Sequence, residues 1–461
     1  MIPSIHKDGR IWLAAGIAIH AVFVASLVLQ FLNPLFIETE HAYGQAGDYF
    51  GIYQAGDDLV HGRSIYSPQD YKQETDRRVP YYYFFRYLPP TAYFAALASI
   101  ALPPWPAYVV WVILNEILIL LLAWWILRLP AHSARDRRVY AALWLGYFPF
   151  YLEQWMGQFS LLMAAFLWIL MREGLPDRSG GAGCERPPRG APFWAWAGSV
   201  GLKSFPALFA LPYAMRRWWR PIFLCAGAVV AASAPYFAIH PPDVRQFLTL
   251  NFRPLPPSVH GGTLGLSAFT RLLGWSLPQS FAAHRFILGK LDVYGGNIPI
   301  FIVNLLLVGS SAWATWKYGR KGEMNLQLAL WTFTFFLIFS DVWEYHYVML
   351  LPAVTAIGLS SRSWWVLWMG VLLALPTPYV LFARPDHSLP AWAGLLNHAS
   401  KPLPTIALYL WTLRALARSA LGTATGAHMP AAAAMPSVGL PASSSGRQAA
   451  AGAATDPSTR S

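Results

Sequence analysis

Apolar runs of membrane-spanning length follow one another along most of the chain. A helix that crosses a bilayer needs about 17–25 consecutive, mostly apolar residues. The clear candidates are 11–32, 106–127, 220–239, 298–316, 325–341, 345–361 and 363–382. Shorter candidates are 139–152, 158–171 and 403–416. A further run, 191–215, is interrupted by Lys203 and Pro206, which predicts either one broken crossing or a tight helical hairpin.

The basic residues between these runs predict the orientation, because cytoplasmic loops are enriched in Lys and Arg. Basic clusters lie at 7–10, 128–138, 172–189, 216–220, 317–321, 362 and 414–418. All of these basic clusters lie on the cytoplasmic side if the segment 191–215 crosses the membrane outward and then returns. The pattern then predicts an all-α polytopic membrane protein with about 12 transmembrane helices and both termini inside.

Two long loops, 33–105 and 240–297, then lie on the outer side, together with a short turn at 341–346. The first loop contains an apolar stretch, 91–102, which we interpret as a helix at the membrane interface. Counting this stretch as a span would place the arginine-rich loop 128–138 outside.

The chain is predicted to divide into a membrane domain, 1–418, and a cytoplasmic tail, 419–461. The tail is rich in Ala, Ser, Gly and Pro and has almost no large apolar residues. Such a segment cannot bury enough apolar surface to offset its ordering entropy, so we expect it to be disordered.

Composition supports a membrane location and argues against other classes. Charged residues make up 12% of the chain, against roughly 25% in soluble domains. The net charge of +12 resides in clusters between apolar runs, so we expect membrane lipid, and no nucleic acid, as a partner. The two cysteines form neither a disulfide framework nor a metal motif.

Asp48 is the first candidate for chemistry, since it follows the first apolar run on the predicted outer face. A carboxylate there suits a general base for an acceptor hydroxyl, provided that it lies within hydrogen-bond reach. The alternative is a solvated loop carboxylate. The adjacent pair Asp57 and Asp58 is not predicted to form a metal site, because neighbouring side chains point in different directions.

Two cations are candidates for binding an anionic phosphate. Lys203 lies inside an apolar segment beside the helix-breaking Pro206, and charge in such a segment is costly unless it is paired or faces water. Arg86 precedes the predicted interfacial helix. Either side chain could instead snorkel, with its stem in the membrane and its head in water.

Four polar residues are weaker candidates. Tyr87 and Gln158 could hydrogen-bond sugar hydroxyls, although Gln158 could also cap a helix. His346 could stabilise a phosphate, and Glu344 could bind sugar or acceptor. Glu344 could equally set a turn and cap the helix that follows. The spacing of Asp341, Glu344 and His346 matches no standard zinc signature, so we expect no metal and no cofactor.

The order of several short motifs resembles glycosyltransferase family 87, the polyprenol-phosphate-mannose-dependent mannosyltransferase type. These motifs are Gly-x-x-x-Tyr at 62–66, Tyr-Leu-Pro-Pro at 87–90, Gly-Gln-Phe-Ser at 157–160, Leu-Lys-x-x-Pro at 202–206, Arg-Arg-Trp-Trp-Arg at 216–220 and His-Tyr before Leu-Leu-Pro at 346–352. The resemblance covers roughly residues 10–415. No single motif is specific; their order and spacing together are. The late loop departs from the family pattern, because Asp-Val-Trp-Glu precedes the histidine.

The resemblance implies the C-type glycosyltransferase architecture, a polyprenyl-phosphate sugar donor and a glycolipid or glycan acceptor. It assigns the catalytic base to Asp48 and places Lys203 and His346 at matching family positions. The implied reaction is an inverting displacement on the periplasmic or exterior face. Together with the Ala/Arg-rich composition, the family implies a bacterial inner membrane.

Three alternatives remain open at this stage. A transporter or flippase of lipid-linked sugars would share the spans and Lys203, although the sequence has no internal repeat to suggest one. A transferase of the same fold with another acceptor would share Asp48. A structural membrane subunit would tolerate substitution of Asp48, Lys203 and His346.

Overall fold

The computed structural model describes twelve stretches of the chain. They are residues 9–29, 45–66, 78–80, 85–130, 132–175, 187–252, 264–266, 268–269, 298–320, 322–339, 342–382 and 390–426. The helices of this part are α1 (Arg10–Leu29), α2 (Gly47–Val60), α3 (Pro89–Ala101), α4 (Pro104–Leu127), α5 (Ala134–Leu145), α6 (Phe148–Met156), α7 (Ser160–Arg172), α8 (Ala191–Leu202) and α9 (Ala210–Met215). They continue with α10 (Trp219–Ile239), α11 (Pro242–Phe252), α12 (Ile298–Tyr318), α13 (Met324–Ile338), α14 (Leu351–Ser361), α15 (Trp364–Ala374), α16 (Pro378–Phe382), α17 (Ala391–Ser400) and α18 (Pro402–Gly426).

The predicted all-α membrane fold is confirmed for the described residues. Four helices are long and apolar enough to cross a membrane: Arg10–Leu29, Pro104–Leu127, Trp219–Ile239 and Ile300–Tyr318. Only 17% to 28% of the residues in their most apolar windows are buried inside the protein, so most of their apolar side chains face outward. The chain is therefore a multi-pass membrane protein, and the number of about 12 spans stays a prediction.

The core lies where the shorter apolar helices α7, α13 and α14 pack together. Trp168 and Phe333 are completely buried there. The indole of Trp144 donates to Thr355 Oγ1 at 2.8 Å, which ties α5 to α14. A 3-10 helix, Glu344–Leu350, precedes α14 and packs against α6 and α7. These helices are hydrophobic on all sides, as buried helices are.

The interrupted run 191–215 turns back on itself. Helix α8 ends at Leu202, Lys203 has an extended backbone, and a 3-10 helix, Phe205–Phe209, leads into α9. The rings of Trp196 and Tyr213 lie 4.9 Å apart, whereas seventeen residues of continuous helix would span about 25 Å. The hairpin alternative therefore describes this segment, and Lys203 lies at its turn.

The first helix is bound tightly into the bundle. The His20 ring nitrogens contact Leu145 O at 3.2 Å and Glu116 Oε2 at 2.9 Å. At Gly16 an added Cβ would lie 2.7 Å from the backbone of Ala142 in α5, so only glycine permits this approach. The second oxygen of Glu116 accepts a hydrogen bond from Gln154 Nε2 at 2.9 Å, which connects α4 to α6.

Helices α2 and α3 form a close pair within the predicted first outer loop. Arg63 binds both Asp57 and Asp58 at 2.8 Å, so the expectation that these carboxylates diverge is wrong: one guanidinium spans both. Arg78 donates to Ser99 O at 2.9 Å and lies 3.3 Å from the Asp57 carboxylate, which ties the end of α2 to α3.

Some boundaries differ from prediction and some predictions lie outside the described residues. The run 139–152 is divided into α5 and α6 at Gly146 and Tyr147, because Pro149 starts a new helix. Helix α18 continues to Gly426, into the predicted tail, and residues 427–461 lie outside the described residues. Of the predicted second outer loop, 240–297, residues 253–263, 267 and 270–297 also lie outside them.

Gly56 generates a test of the α2–α3 contact. An added Cβ would lie 2.4 Å from the carbonyl carbon of Ala95, so Gly56→Ala must push the helices apart. We expect the substitution to lower the free energy of unfolding by about 1–3 kcal/mol, the usual cost of overpacking. Thermal unfolding of the purified protein in detergent measures this.

Gly227→Ala in α10 is the matched control, since nothing lies within 4 Å of its added Cβ. It should be neutral or stabilise by up to about 1 kcal/mol through helix propensity. Equal melting temperatures for the two variants would contradict the close contact.

Candidate functional site

Asp48 lies in the first turn of α2, and that turn is fixed from both sides. Ala46, just before the helix, has a left-handed backbone with φ of 74° and is fully buried. Its N–H donates to Trp155 O at 2.8 Å. A carboxylate in the first turn of a helix is stabilised by the helix dipole. Asp48 is thus held half-buried at the start of α2.

Gly157 brings the turn between α6 and α7 against this helix start. Its φ is 71°, and an added Cβ would lie 2.4 Å from Tyr49 Cβ. Gln158 follows directly and is almost fully buried. The backbone carbonyl of Gln158 accepts a hydrogen bond from Trp111 Nε1 at 3.1 Å. This contact does not use the side-chain amide of Gln158. The Gly-Gln-Phe-Ser motif, 157–160, is therefore packed against the start of α2.

Tyr87 is the point at which several predicted site residues meet. Its hydroxyl donates to Gln158 Oε1 at 3.3 Å. Burial raises the pKa of the Tyr87 hydroxyl, the Asp48 carboxylate adds to this rise, and the Arg86 guanidinium opposes it. Gln158 thus contacts the Tyr87 hydroxyl directly, and Asp48 and Arg86 lie within electrostatic range of it; the assignment of these residues to one site stays a prediction.

Lys203, at the hairpin turn, contacts the same Gly-Gln-Phe-Ser motif. Its Nζ donates to Ser160 Oγ at 3.1 Å. The Nζ atom also lies 5.2 Å from the centre of the Phe159 ring, which packs edge-on against Tyr87 at 4.5 Å. Phe159 therefore separates the lysine from the tyrosine by a single ring. The lysine is half-buried, so its charge is not sealed inside the protein.

Glu153 belongs to this cluster and was missed from the sequence. It is fully buried near the end of α6, in the break that follows the apolar run 139–152. Its Oε1 accepts from Leu161 N at 3.0 Å at the start of α7. Burial raises the pKa of Glu153, and the Lys203 ammonium opposes that rise. An acid between two apolar runs was the available signal.

Glu344 lies in a buried network of its own. Its oxygens accept from Thr377 N at 3.0 Å and from Thr377 Oγ1 at 2.5 Å, and Lys401 Nζ is 3.3 Å away. Lys401 is completely buried. Because this carboxylate already holds three partners, its geometry is that of a framework residue. Its assignment to sugar or acceptor binding stays a prediction.

His346 lies in the same segment, at the start of the 3-10 helix. Its Nδ1 accepts from Trp343 N at 3.1 Å, and its ring lies 4.4 Å from that of Tyr345. These contacts fix the orientation of the imidazole. Its role with a phosphate stays a prediction. Asp341, which precedes it, lies outside the described residues.

Comparison with known proteins identifies the class. The protein is a membrane-embedded glycosyltransferase, because the model of glycosyltransferase family 87 matches residues 85–340, more than half of the chain. It belongs to glycosyltransferase family 87. The matched region contains Arg86, Tyr87, Gln158 and Lys203, whereas Asp48, Glu344 and His346 lie outside it.

No curated protein matches the chain. Among solved structures, that of ArnT from Cupriavidus metallidurans in the apo state is similar, with 15% sequence identity and a TM-score of 0.39. The match covers 87% of this chain and 77% of that one. A similarity at this level carries no argument about the site.

The Glu344–Lys401 pair generates a stability prediction. Removing one member of a buried ion pair leaves the other charge without compensation, which costs about 3–5 kcal/mol. We expect Lys401→Met to lower the melting temperature in detergent strongly. The double variant Glu344→Gln with Lys401→Met should recover much of the loss, because no buried charge remains. A single variant as stable as the natural protein would contradict the pairing.

Proposed function

We propose that the protein transfers a hexosyl unit, most simply mannosyl, from a polyprenyl-phosphate sugar to a hydroxyl of a glycolipid or glycan. The reaction takes place on the periplasmic or exterior face of a bacterial inner membrane. The observation that carries the proposal is the meeting of an acid, an amide and two cations around Tyr87 and Phe159. Family membership supports the reaction class.

Asp48 is the general base of this proposal. The acceptor oxygen attacks the anomeric carbon while the bond from that carbon to the phosphate oxygen breaks. The electron pair of the broken bond stays on the phosphate, and the hydroxyl proton moves to the Asp48 carboxylate. A single displacement inverts the anomeric centre, so a β-linked donor gives an α-linked product. Anchoring through Ala46 and Gly157 supports this role, because a base must be held within hydrogen-bond reach.

Lys203 and Arg86 offset the charge that grows on the departing phosphate, with His346 as a further candidate. Such fixed charges aimed at developing charge are a large contribution to catalysis. The half-buried position of Lys203 at the turn of the hairpin supports this, because its ammonium is not sealed inside the protein. These cations make a metal unnecessary, and we expect chelation with EDTA to leave turnover unchanged.

Gln158 and Tyr87 bind sugar hydroxyls. Their mutual hydrogen bond of 3.3 Å is long, so both groups can exchange it for a better one to a ligand. The Gln158 amide can donate and accept at once, which suits a hydroxyl that does the same.

The Asp48 assignment is tested by substitution. We expect Asp48→Asn to lower turnover by about 10²–10⁴-fold, the usual contribution of a general base, with little change in folding. The assay supplies protein in lipid with polyprenyl-phosphate [14C]mannose and a membrane lipid extract, and measures labelled product. Asp136→Asn, in the first turn of α5, is the matched control, since it also removes a carboxylate from a helix start, and it should retain activity.

The outcomes of this assay separate the alternatives. Near-normal turnover in Asp48→Asn contradicts the assignment of Asp48 as general base. Transfer only from another polyprenyl-phosphate sugar keeps the mechanism and changes the sugar. No chemical transfer from any such donor, with labelled lipid crossing the bilayer instead, favours the transporter or flippase.

The Lys203 assignment predicts a different kinetic signature. Loss of a hydrogen bond to a charged group costs about 1.5–3 kcal/mol, so Lys203→Gln should weaken donor binding by roughly 10–100-fold. Lys203→Arg keeps the charge and should lose less. Donor titration of initial rates measures both; an unchanged donor KM in Lys203→Gln contradicts the phosphate role.

A further inference from the structure

Glu153 places a buried acidic side chain near the cation that the proposed function assigns to phosphate. Its side chain is completely buried. One oxygen is engaged by the Leu161 N–H at 3.0 Å, and the other, Oε2, has no hydrogen-bond partner among the described residues. Lys203 contacts Ser160, the residue before Leu161. The Glu153 carboxyl group and the Lys203 ammonium therefore approach the same end of α7.

The charge of this carboxylate therefore depends on Lys203. A buried carboxylate that is not fully hydrogen-bonded needs a nearby cation, and the Lys203 ammonium stabilises the charged form of Glu153. Any anion that binds Lys203 must compete with this attraction. It also meets the repulsion of the carboxylate itself, which is weakly screened in a buried setting.

The two lipids of the proposed reaction differ in charge. A polyprenyl-phosphate sugar is a phosphodiester with a single negative charge. The product that remains after sugar transfer is a phosphate monoester, which carries about 1.5 to 2 negative charges near pH 7. A site with a lone lysine would bind the product more tightly than the donor and would be inhibited by it.

We propose that Glu153 is a specificity-determining residue that acts through Lys203 and weakens binding of the polyprenyl monophosphate product relative to the sugar-loaded donor. The inference rests on the proposed function, because it takes Lys203 as the phosphate ligand. Glu153 is a positioning residue in this scheme, since it repels the phosphate and does not touch the reacting atoms.

A purely structural role has a different signature. Glu153 also accepts a hydrogen bond at the start of α7, and a glutamine at this position keeps such an acceptor. Glu153→Gln therefore removes the charge and retains the helix contact. A structural effect would change the affinities for both lipids together.

The experiment measures equilibrium binding to the full-length protein in lipid nanodiscs at about pH 8, without acceptor. The probes are a polyprenyl monophosphate and its methyl phosphodiester, which differ in charge and lack the sugar. In the natural protein we expect the diester to bind at least as tightly as the monoester. Glu153→Gln should tighten the monoester by about 3–10-fold, as expected for repulsion across a partly screened site, and change the diester much less.

The matched control is Glu116→Gln. This residue also supports α6, through Gln154 at 2.9 Å, but its contacts do not include Lys203 or Ser160. We expect the ratio of the two affinities to stay as in the natural protein. An unchanged ratio in Glu153→Gln, or an equal change in Glu116→Gln, overturns the inference.

Two further results keep the outcomes distinct. If Glu153→Gln does not fold, the affinities of the natural protein for the two lipids are the test. Clearly tighter binding of the monoester than of the diester overturns the inference. If Lys203→Gln binds both lipids as tightly as the natural protein, the phosphate site of the proposed function fails, and the inference fails with it. Lys203-dependent binding without an effect of Glu153 leaves the proposed function intact and rejects only the inference.

Discussion

Compensation of charge among apolar helices is the constraint on which the structure depends. An isolated charge in such surroundings is costly, so ionisable groups there are paired or reach water. His20 faces Glu116 at 2.9 Å, and Glu344 faces Lys401 at 3.3 Å. Each pair joins helices that are distant in the chain. The same requirement that holds the bundle together therefore determines which helices are neighbours.

Lys203 satisfies this constraint in a different way. It contacts a neutral hydroxyl, Ser160, and the face of the Phe159 ring, with the Glu153 carboxylate nearby. It is also only half-buried. Buried Lys401, by contrast, is surrounded by two carbonyls and a carboxylate. The two lysines thus differ in exposure and in contacts: Lys401 is completely buried against a carboxylate, whereas Lys203 is half-buried beside a hydroxyl and an aromatic ring.

The sequence was sufficient for features that depend on local pattern. Apolar runs predicted the helices, and Lys203 beside Pro206 predicted the break that the structure shows as a hairpin turn. Contacts between distant segments were not predictable in this way. Glu153 was missed because its electrostatic partner Lys203 is remote in sequence, and Glu344 looked like a turn residue because its partner Lys401 follows only after four further helices, α14 to α17. Asp57 and Asp58 looked divergent because the reach of Arg63 depends on the turn after α2.

The binding of α1 into the bundle has a consequence for biogenesis. His20 finds its acceptor on Leu145 across 125 residues of chain, and Gly16 packs on the backbone of the same helix α5. At about 5–20 residues per second, a ribosome needs roughly 6 to 25 s to make that intervening length. During this interval α1 lies in the bilayer or the insertion machinery with a polar imidazole whose partner on α5 has not yet been synthesised. The first helix is thus inserted early and is completed late, when the fifth helix arrives to receive it.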